Sequence, residues 1–214
     1  MRYAIIGTGA VGSYYGGKLA HAGHDVHFLL HSDYEYVNLH GMQIDSCDGS
    51  FHLDHPQVYH DTEDMPQADV VIVAPHWGTE GTYHPTQQQV DIGHAAIDAG
   101  ADIVWGSHPH VLQPIEEYYD GVILYSMGNF CFGGNGAPED LDSVLVQQEI
   151  VRSPDGEISL GTRKIVPCTI GSEAGKNNFQ PTPMEVGTEE YKRVLSKLSG
   201  TFQGPDLTIR RAGK

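Results

Sequence analysis

Three histidines stand just beyond two apolar runs: His76 after Asp69–Ala74 (DVVIVA), and His108 and His110 after Asp102–Trp105 (DIVW). Neutral imidazole is a good ligand for first-row metals, and three imidazoles suffice for an open site. The cofactor such a set would hold is one divalent ion: zinc, manganese or iron. A His-x-His on an extended loop also lets its rings project apart, and each ring can equally be an ordinary hydrogen-bonded residue. Spacing alone leaves both readings open. Glu80 and His84 lie close by in sequence and receive no role from it. Asn129, in MGNF, reads as a turn residue as readily as a functional one.

A second constellation opens the chain. Gly7-Thr8-Gly9-Ala10-Val11-Gly12 follows a predicted strand and starts a predicted helix. In that setting the first glycine allows a tight turn, the second lets backbone approach a pyrophosphate, and the third lets helix and strand pack closely. The helix N-terminus supplies oriented N–H donors. Turn and packing alone would also use such glycines. An NAD site usually carries an acid at the end of the second strand, where this chain has Leu30, His31 and Ser32. His31 and Ser32 there would suit a 2′-phosphate, so the expected cofactor is NADP or NADPH, a small-molecule dinucleotide.

The elements that must position these groups follow from periodicity and turn chemistry. Tyr3–Gly7 is a short strand, 10–23 a helix with Val11, Tyr14, Tyr15, Leu19 and Ala22 inward and Gly23 at its end, and Asp25–Leu30 a second strand. Segment 41–60 predicts a hairpin excursion and a further strand near Val58. Asp69–Ala74 is apolar on both faces, as a central parallel strand must be. Beyond it lie a helix over Pro85–Gly100, the strand Asp102–Trp105, and a strand entered through Asp120-Gly121. A long hairpin turns at Ser153-Pro154-Asp155-Gly156, and a last helix lies near 187–200. The tail after Gly204 is expected to fray.

Composition sets the outer limits. Twelve basic against 28 acidic residues give a formal charge of −16, which repels phosphate backbones and anionic lipid and so argues against nucleic-acid and membrane partners. The three cysteines, Cys47, Cys131 and Cys168, are far apart and outside any CxxC pattern. They fit reduced thiols, and with a strand at the start in place of a signal peptide they predict a cytoplasmic protein.

Two resemblances organise these signals. Residues 1–37, MRYAIIGTGAVGSYYGGKLAHAGHDVHFLLHSDYEYV, resemble the N-terminal domain of ketopantoate (2-dehydropantoate 2-) reductases, and the likeness continues through DVVIVA. It implies a Rossmann-like NADPH-binding half at residues 1–74. That family usually has Arg where His31 stands and Lys shortly after the fourth strand, where this chain has Pro75-His76-Trp77, and its catalytic lysine belongs to a helical domain not found here. HWG, SHPHVLQ and YSMGNF, with flanking sequence to about Phe202, resemble the C-terminal half of poly-γ-glutamate capsule-synthesis proteins, of metallophosphatase-like fold. This second likeness implies that residues 75–203 carry half a metal centre at His76, His108 and His110. The Gly-Asp and Asn-His loops that complete that centre are not found here. Together they imply a recombined chain, by design more readily than by natural fusion, joined inside one β-strand. The expected architecture is α/β: one hybrid domain with parallel order 3-2-1-4-5, extended by antiparallel strands, then a tail at 204–214. The functional expectation is residual NADP-type binding without a complete parental active site. A metal-dependent phosphoesterase-like hydrolase is the alternative, and a ketopantoate reductase ranks last.

Overall fold

A computed structural model describes residues 1–46, 49–131 and 137–208. Its centre is a seven-stranded sheet. In chain order the strands are β1 (Arg2–Ile6), β2 (Asp25–Leu29), β5 (Gln57–Tyr59), β6 (Val70–Val73), β7 (Ile103–Trp105), β8 (Ile115–Tyr118) and β9 (Gly121–Leu124). They lie in the order β5-β2-β1-β6-β7-β9-β8, all parallel except β8, which runs antiparallel to β9 at the edge. The first five reproduce the expected 3-2-1-4-5. A small hairpin, β3 (Met42–Ile44) with β4 (Phe51–Leu53), forms the predicted excursion. Cys47 and the tail from 209 onward lie outside the described residues.

β6 is bonded on both edges. Tyr3 pairs with Val70 and Ile6 with Val73 on one side, while Ile72 and Val73 pair with Ile103 and Val104 on the other. Four β-branched residues suit a strand buried on both faces, because their stiff side chains pack well on a pleated surface. The Asp102 side chain accepts from the Val71 N–H at 2.7 Å and fastens the start of the β6–β7 pair.

The helix α1 (Ala10–His21) packs on this sheet through glycines rather than through the side chains its periodicity suggested. Gly12, Gly16 and Gly17 are buried, whereas Tyr15 is 39% exposed. A Cβ on Gly16 would stand 2.7 Å from the Phe28 ring, and one on Gly12 would stand 2.4 Å from the Gly7 carbonyl oxygen. The inward face of α1 is therefore a channel of missing side chains, flanked by Tyr14 and Leu19 against the core of Ile5, Val26 and Phe28. Gly23 ends the helix as expected, at φ 90°. A short helix, α2 (Tyr34–His40), follows β2; its single buried residue, Val37, left no periodic signal.

On the other side of β6, α3 (Gln87–Asp98) starts at a reciprocal cap. The Thr86 side chain accepts from the Gln89 N–H, and the Gln89 side chain accepts from the Thr86 N–H. The long hairpin, β10 (Asp142–Arg152) and β11 (Ile158–Thr169), pairs with β12 (Thr182–Pro183) in a separate three-stranded sheet. The antiparallel extension of the main sheet is thus β8 alone. The long hairpin instead folds against α4 (Glu189–Leu198) over a core of Leu112, Val144, Val194 and Leu198. Residues 204–208 are not frayed: Tyr83 N–H donates to the Asp206 side chain, and Leu207 N–H to the Gly81 carbonyl. Among the described residues no helix is long and apolar enough to cross a membrane.

One ionic cluster ties α4 down. Lys197, 2% exposed, donates to Asp140 at 2.6 Å and Asp142 at 2.7 Å, and Arg193 forks onto Asp142 with two bonds of 2.8 Å. Tyr83 donates to the other side of this cluster, at Asp140. Burial pushes the Asp142 carboxyl up, but Arg193 and Lys197 together outweigh it and hold it below the usual carboxylate range.

Gly12→Ala should cost about 1–3 kcal/mol, because its Cβ meets backbone. Gly9→Ala has open space and an extended backbone, and should change stability by less than about 0.5 kcal/mol; urea midpoints of the two variants check both. Lys197→Met should cost about 3–5 kcal/mol by leaving buried Asp140 without its cationic partner. The stability contributed by Asp142 is complete above its unfolded pKa of about 3.9 and is lost as pH falls through its lower folded value; acid unfolding of wild type and variant measures that difference.

Candidate functional site

The loops after β6 and β7 leave the sheet together. His76 and Ser107 form a parallel bridge; Ser107 N–H donates to the Pro75 carbonyl at 3.1 Å and Trp77 N–H to the Ser107 carbonyl at 3.0 Å. Farther out, Gly81 N–H donates to the Pro109 carbonyl at 2.8 Å. The strand pairing thus continues, in relaxed form, into the segments that carry all the candidate ligands. Trp77 turns inward beneath them. Its indole N–H donates to the Tyr125 carbonyl at 2.9 Å, and a Cβ on Gly106 would collide with both groups. The glycine of His76-Trp77-Gly78 has an equally local cause: φ is 83°, and a Cβ there would strike the buried Gln89 side chain.

Two clefts meet at this double loop. The first, of about 620 Å³, runs from the glycine loop past His31, Ser32, Asp33 and His60 to Ala74, Pro75, His76 and Ser107. All the sequence-predicted dinucleotide residues therefore share one cavity. Their glycines are not equivalent. Gly7 (φ 92°) would drive a Cβ to 2.6 Å from the Ala74 carbonyl oxygen and Gly12 is closed by Gly7, whereas a Cβ on Gly9 would meet nothing within 4 Å. Thr8 donates its hydroxyl to the Leu29 carbonyl at 2.6 Å, tying the loop to the end of β2. At the outer rim His31 lies with its ring 6.0 Å from that of His60. Ser32 donates to Asp33 at 3.2 Å, so a carboxylate stands on the same rim. Sequence reasoning passed over Asp33 because it lies a few residues past the strand end; its place at the start of α2 is what turns it to the cleft.

The second cleft, of about 460 Å³, contains His76, His108, His110, Asn129 and Tyr15. The imidazoles of His76 and His108 lie 4.5 Å apart, those of His108 and His110 6.2 Å. All three predicted ligands are brought together, but the ligand atoms that fall within 4.8 Å of one another belong to Glu80, His108 and His110. His76 stands exposed beside them, its Nδ1 3.3 Å from the Ser107 hydroxyl. Partial burial and then the neighbouring His108 and His110 depress its pKa, against the opposing charge of Glu80, which favours a neutral ring. Asn129 proves to be more than a turn residue. Its side-chain nitrogen donates to the His110 carbonyl, so its oxygen must accept from His110 Nδ1, at 2.8 Å. That bond sets the tautomer with the lone pair on Nε2, the arrangement metal-binding histidines use. His108 and His110 both have positive φ, 106° and 58°, a conformation that costs a non-glycine residue of order 1–3 kcal/mol. Glu80 was legible only as a neighbour in sequence; the turns at Gly78 and Gly81 (φ 83° and 80°) carry it back toward the histidines.

Comparison with known proteins finds both parts. The PGA biosynthesis protein CapA of Bacillus subtilis is 36% identical over 138 residues, 64% of this chain and 33% of that protein. The capsule biosynthesis protein CapA of Bacillus anthracis is 47% identical over 83 residues, 39% of this chain and 20% of that protein. A 2-dehydropantoate 2-reductase from Nostoc is 58% identical over 73 residues, 34% of this chain and 23% of that enzyme. The chain spans a third or less of the length of these relatives. The sequence profile of the bacterial capsule synthesis protein PGA_cap matches residues 10–134. On that match, which covers more than half of its residues, the chain belongs to the bacterial capsule synthesis protein PGA_cap family.

Proposed function

We propose that this protein binds an NADP-type dinucleotide in the cleft of the glycine loop and does not turn over either parental substrate. The reading treats the chain as a join of a ketopantoate-reductase-like half and a capsule-synthesis half within β6. The observation that carries it is the contrast among the glycines. Packing explains Gly7 and Gly12 completely, but Gly9 faces the open cleft at the first turn of α1, where a pyrophosphate would lie against backbone N–H donors. His31 and Ser32 would meet the adenosine 2′ position. Asp33 opposes a 2′-phosphate there and sets a limit on the preference for NADPH over NADH.

A second reading, a metal-dependent hydrolase, is favoured by the approach of Glu80, His108 and His110. Two imidazoles and a carboxylate are a donor set that first-row metals accept. When bound, such an ion supplies Lewis-acid chemistry. Glu80, His108 and His110 would hold it, Asn129 would orient His110, and His76 would line the adjoining wall.

Thermal unfolding of chelator-treated protein tests the first reading. NADPH at about a hundred times its dissociation constant should stabilise the fold by about 2.7 kcal/mol, and NADH less at equal concentration. Gly9→Ala should abolish the rise while keeping the unliganded midpoint. Asp33→Asn should improve NADPH relative to NADH by about two- to fivefold, as expected for removing one exposed like charge. No rise with NADPH in the wild-type protein would sink the proposal and leave the loop a structural turn.

A further inference from the structure

We infer that Glu80, not His76, is the third protein ligand of a single divalent cation held with His108 and His110. This rests on the metal-binding reading above and deepens it, by setting His76 apart from the ion and naming the class of ligand that completes its coordination.

Geometry argues for it first. Two donors on one ion, with bonds of about 2.1 Å, stand roughly 3–4 Å apart. The ligand atoms of Glu80, His108 and His110 are already within 4.8 Å of one another, so a small inward rotation of the side chains closes the set. His76 is exposed and is not a member of that set. Backbone placement argues the same way. The Gly81–Pro109 hydrogen bond clamps the loop bearing Glu80 to the residue between the two histidines. Leu207 N–H holds the same loop through the Gly81 carbonyl, and Asp206 holds Tyr83. The carboxylate thus sits on a segment fastened from two sides.

Chemistry supplies the third argument. Three protein ligands leave coordination positions for an exogenous oxygen. The cavity beside them is walled by His76 and Ser107, which also line the dinucleotide cleft. The ligand class that fits the open positions is an anionic oxygen, of a phosphate or a carboxylate, with His76 placed to contact it rather than the ion.

The test is titration of the chelator-stripped protein with Co(II), followed by calorimetry and by visible absorption. Wild type should bind one ion. Glu80→Gln and His108→Ala should each weaken binding by about 100-fold or more, beyond what loss of an orienting neighbour costs, and His76→Ala should change it by less than about tenfold. Glu80→His, which restores a donor, should recover binding with a shifted visible band. That variant keeps the inference testable if Glu80→Gln fails to fold. Unchanged binding in Glu80→Gln, an unshifted band in Glu80→His, or a loss in His76→Ala equal to that in His108→Ala would each overturn the assignment of Glu80 while leaving a metal site standing. No stoichiometric binding by wild type would overturn the metal-binding reading itself.

Discussion

Strand β6 is the constraint on which the rest depends, because it is hydrogen-bonded on both edges and apolar on both faces. Its left-hand partner, β1, delivers the glycine loop; its right-hand partner, β7, delivers the loop of His108 and His110. Parallel pairing puts the carboxyl ends of all three at one edge of the sheet, where ligands of open α/β sheets gather. The pairing then outlasts the strands, through the His76–Ser107 bridge and the Gly81–Pro109 bond. Two clefts with different chemistry therefore share a wall. A strand satisfied on all sides by generic backbone bonds and β-branched packing also makes few demands on what precedes or follows it. That is why residues resembling two families can be continuous across it without disturbing the sheet.

The α4 side of the molecule is held by different physics. Lys197 is enclosed by Asp140, Asp142, Tyr83 and the ring of Phe202, and this cluster connects α4, the start of β10 and the loop before α3. An ion pair in that position fixes orientation more than it adds stability, since desolvation offsets most of the attraction. In a chain of net charge −16 it also neutralises carboxylates that apolar packing would otherwise forbid there. Tyr83 belongs both to this cluster and to the loop that bears Glu80, so the second sheet and the candidate site are mechanically joined.

The parallel order was readable because short connections and apolar runs leave a βαβ unit little choice of arrangement. The turn at Gly156 was readable as local chemistry, whereas Pro85, expected in the first turn of the next helix, lies outside it, because Thr86 caps a helix that starts at Gln87. What escaped was decided by tertiary context. The inner face of α1 consists of glycines, and a periodicity that counts apolar side chains registers an absence poorly. β8, with Glu116 and Glu117 in a half-exposed edge strand, lacks the alternation that marks a buried face. Whether β10 and β11 would extend the main sheet or form their own depended on α4 arriving to cover them. At the site, the histidines were found by type, but the selection of Glu80 depended on two left-handed glycines whose geometry no spacing rule encodes.

The positive φ angles of His108 and His110 have a consequence for how this chain would drift. Glycine at either position relieves backbone strain, although it also frees the unfolded chain. Where relief exceeds that entropy, each replacement raises stability and removes a ligand in the same step. Selection on folding alone, without demand for an ion, would therefore erode this pair early. Their persistence in a lineage is a better gauge of metal use than the persistence of Trp77 or Gly106, which packing would preserve regardless.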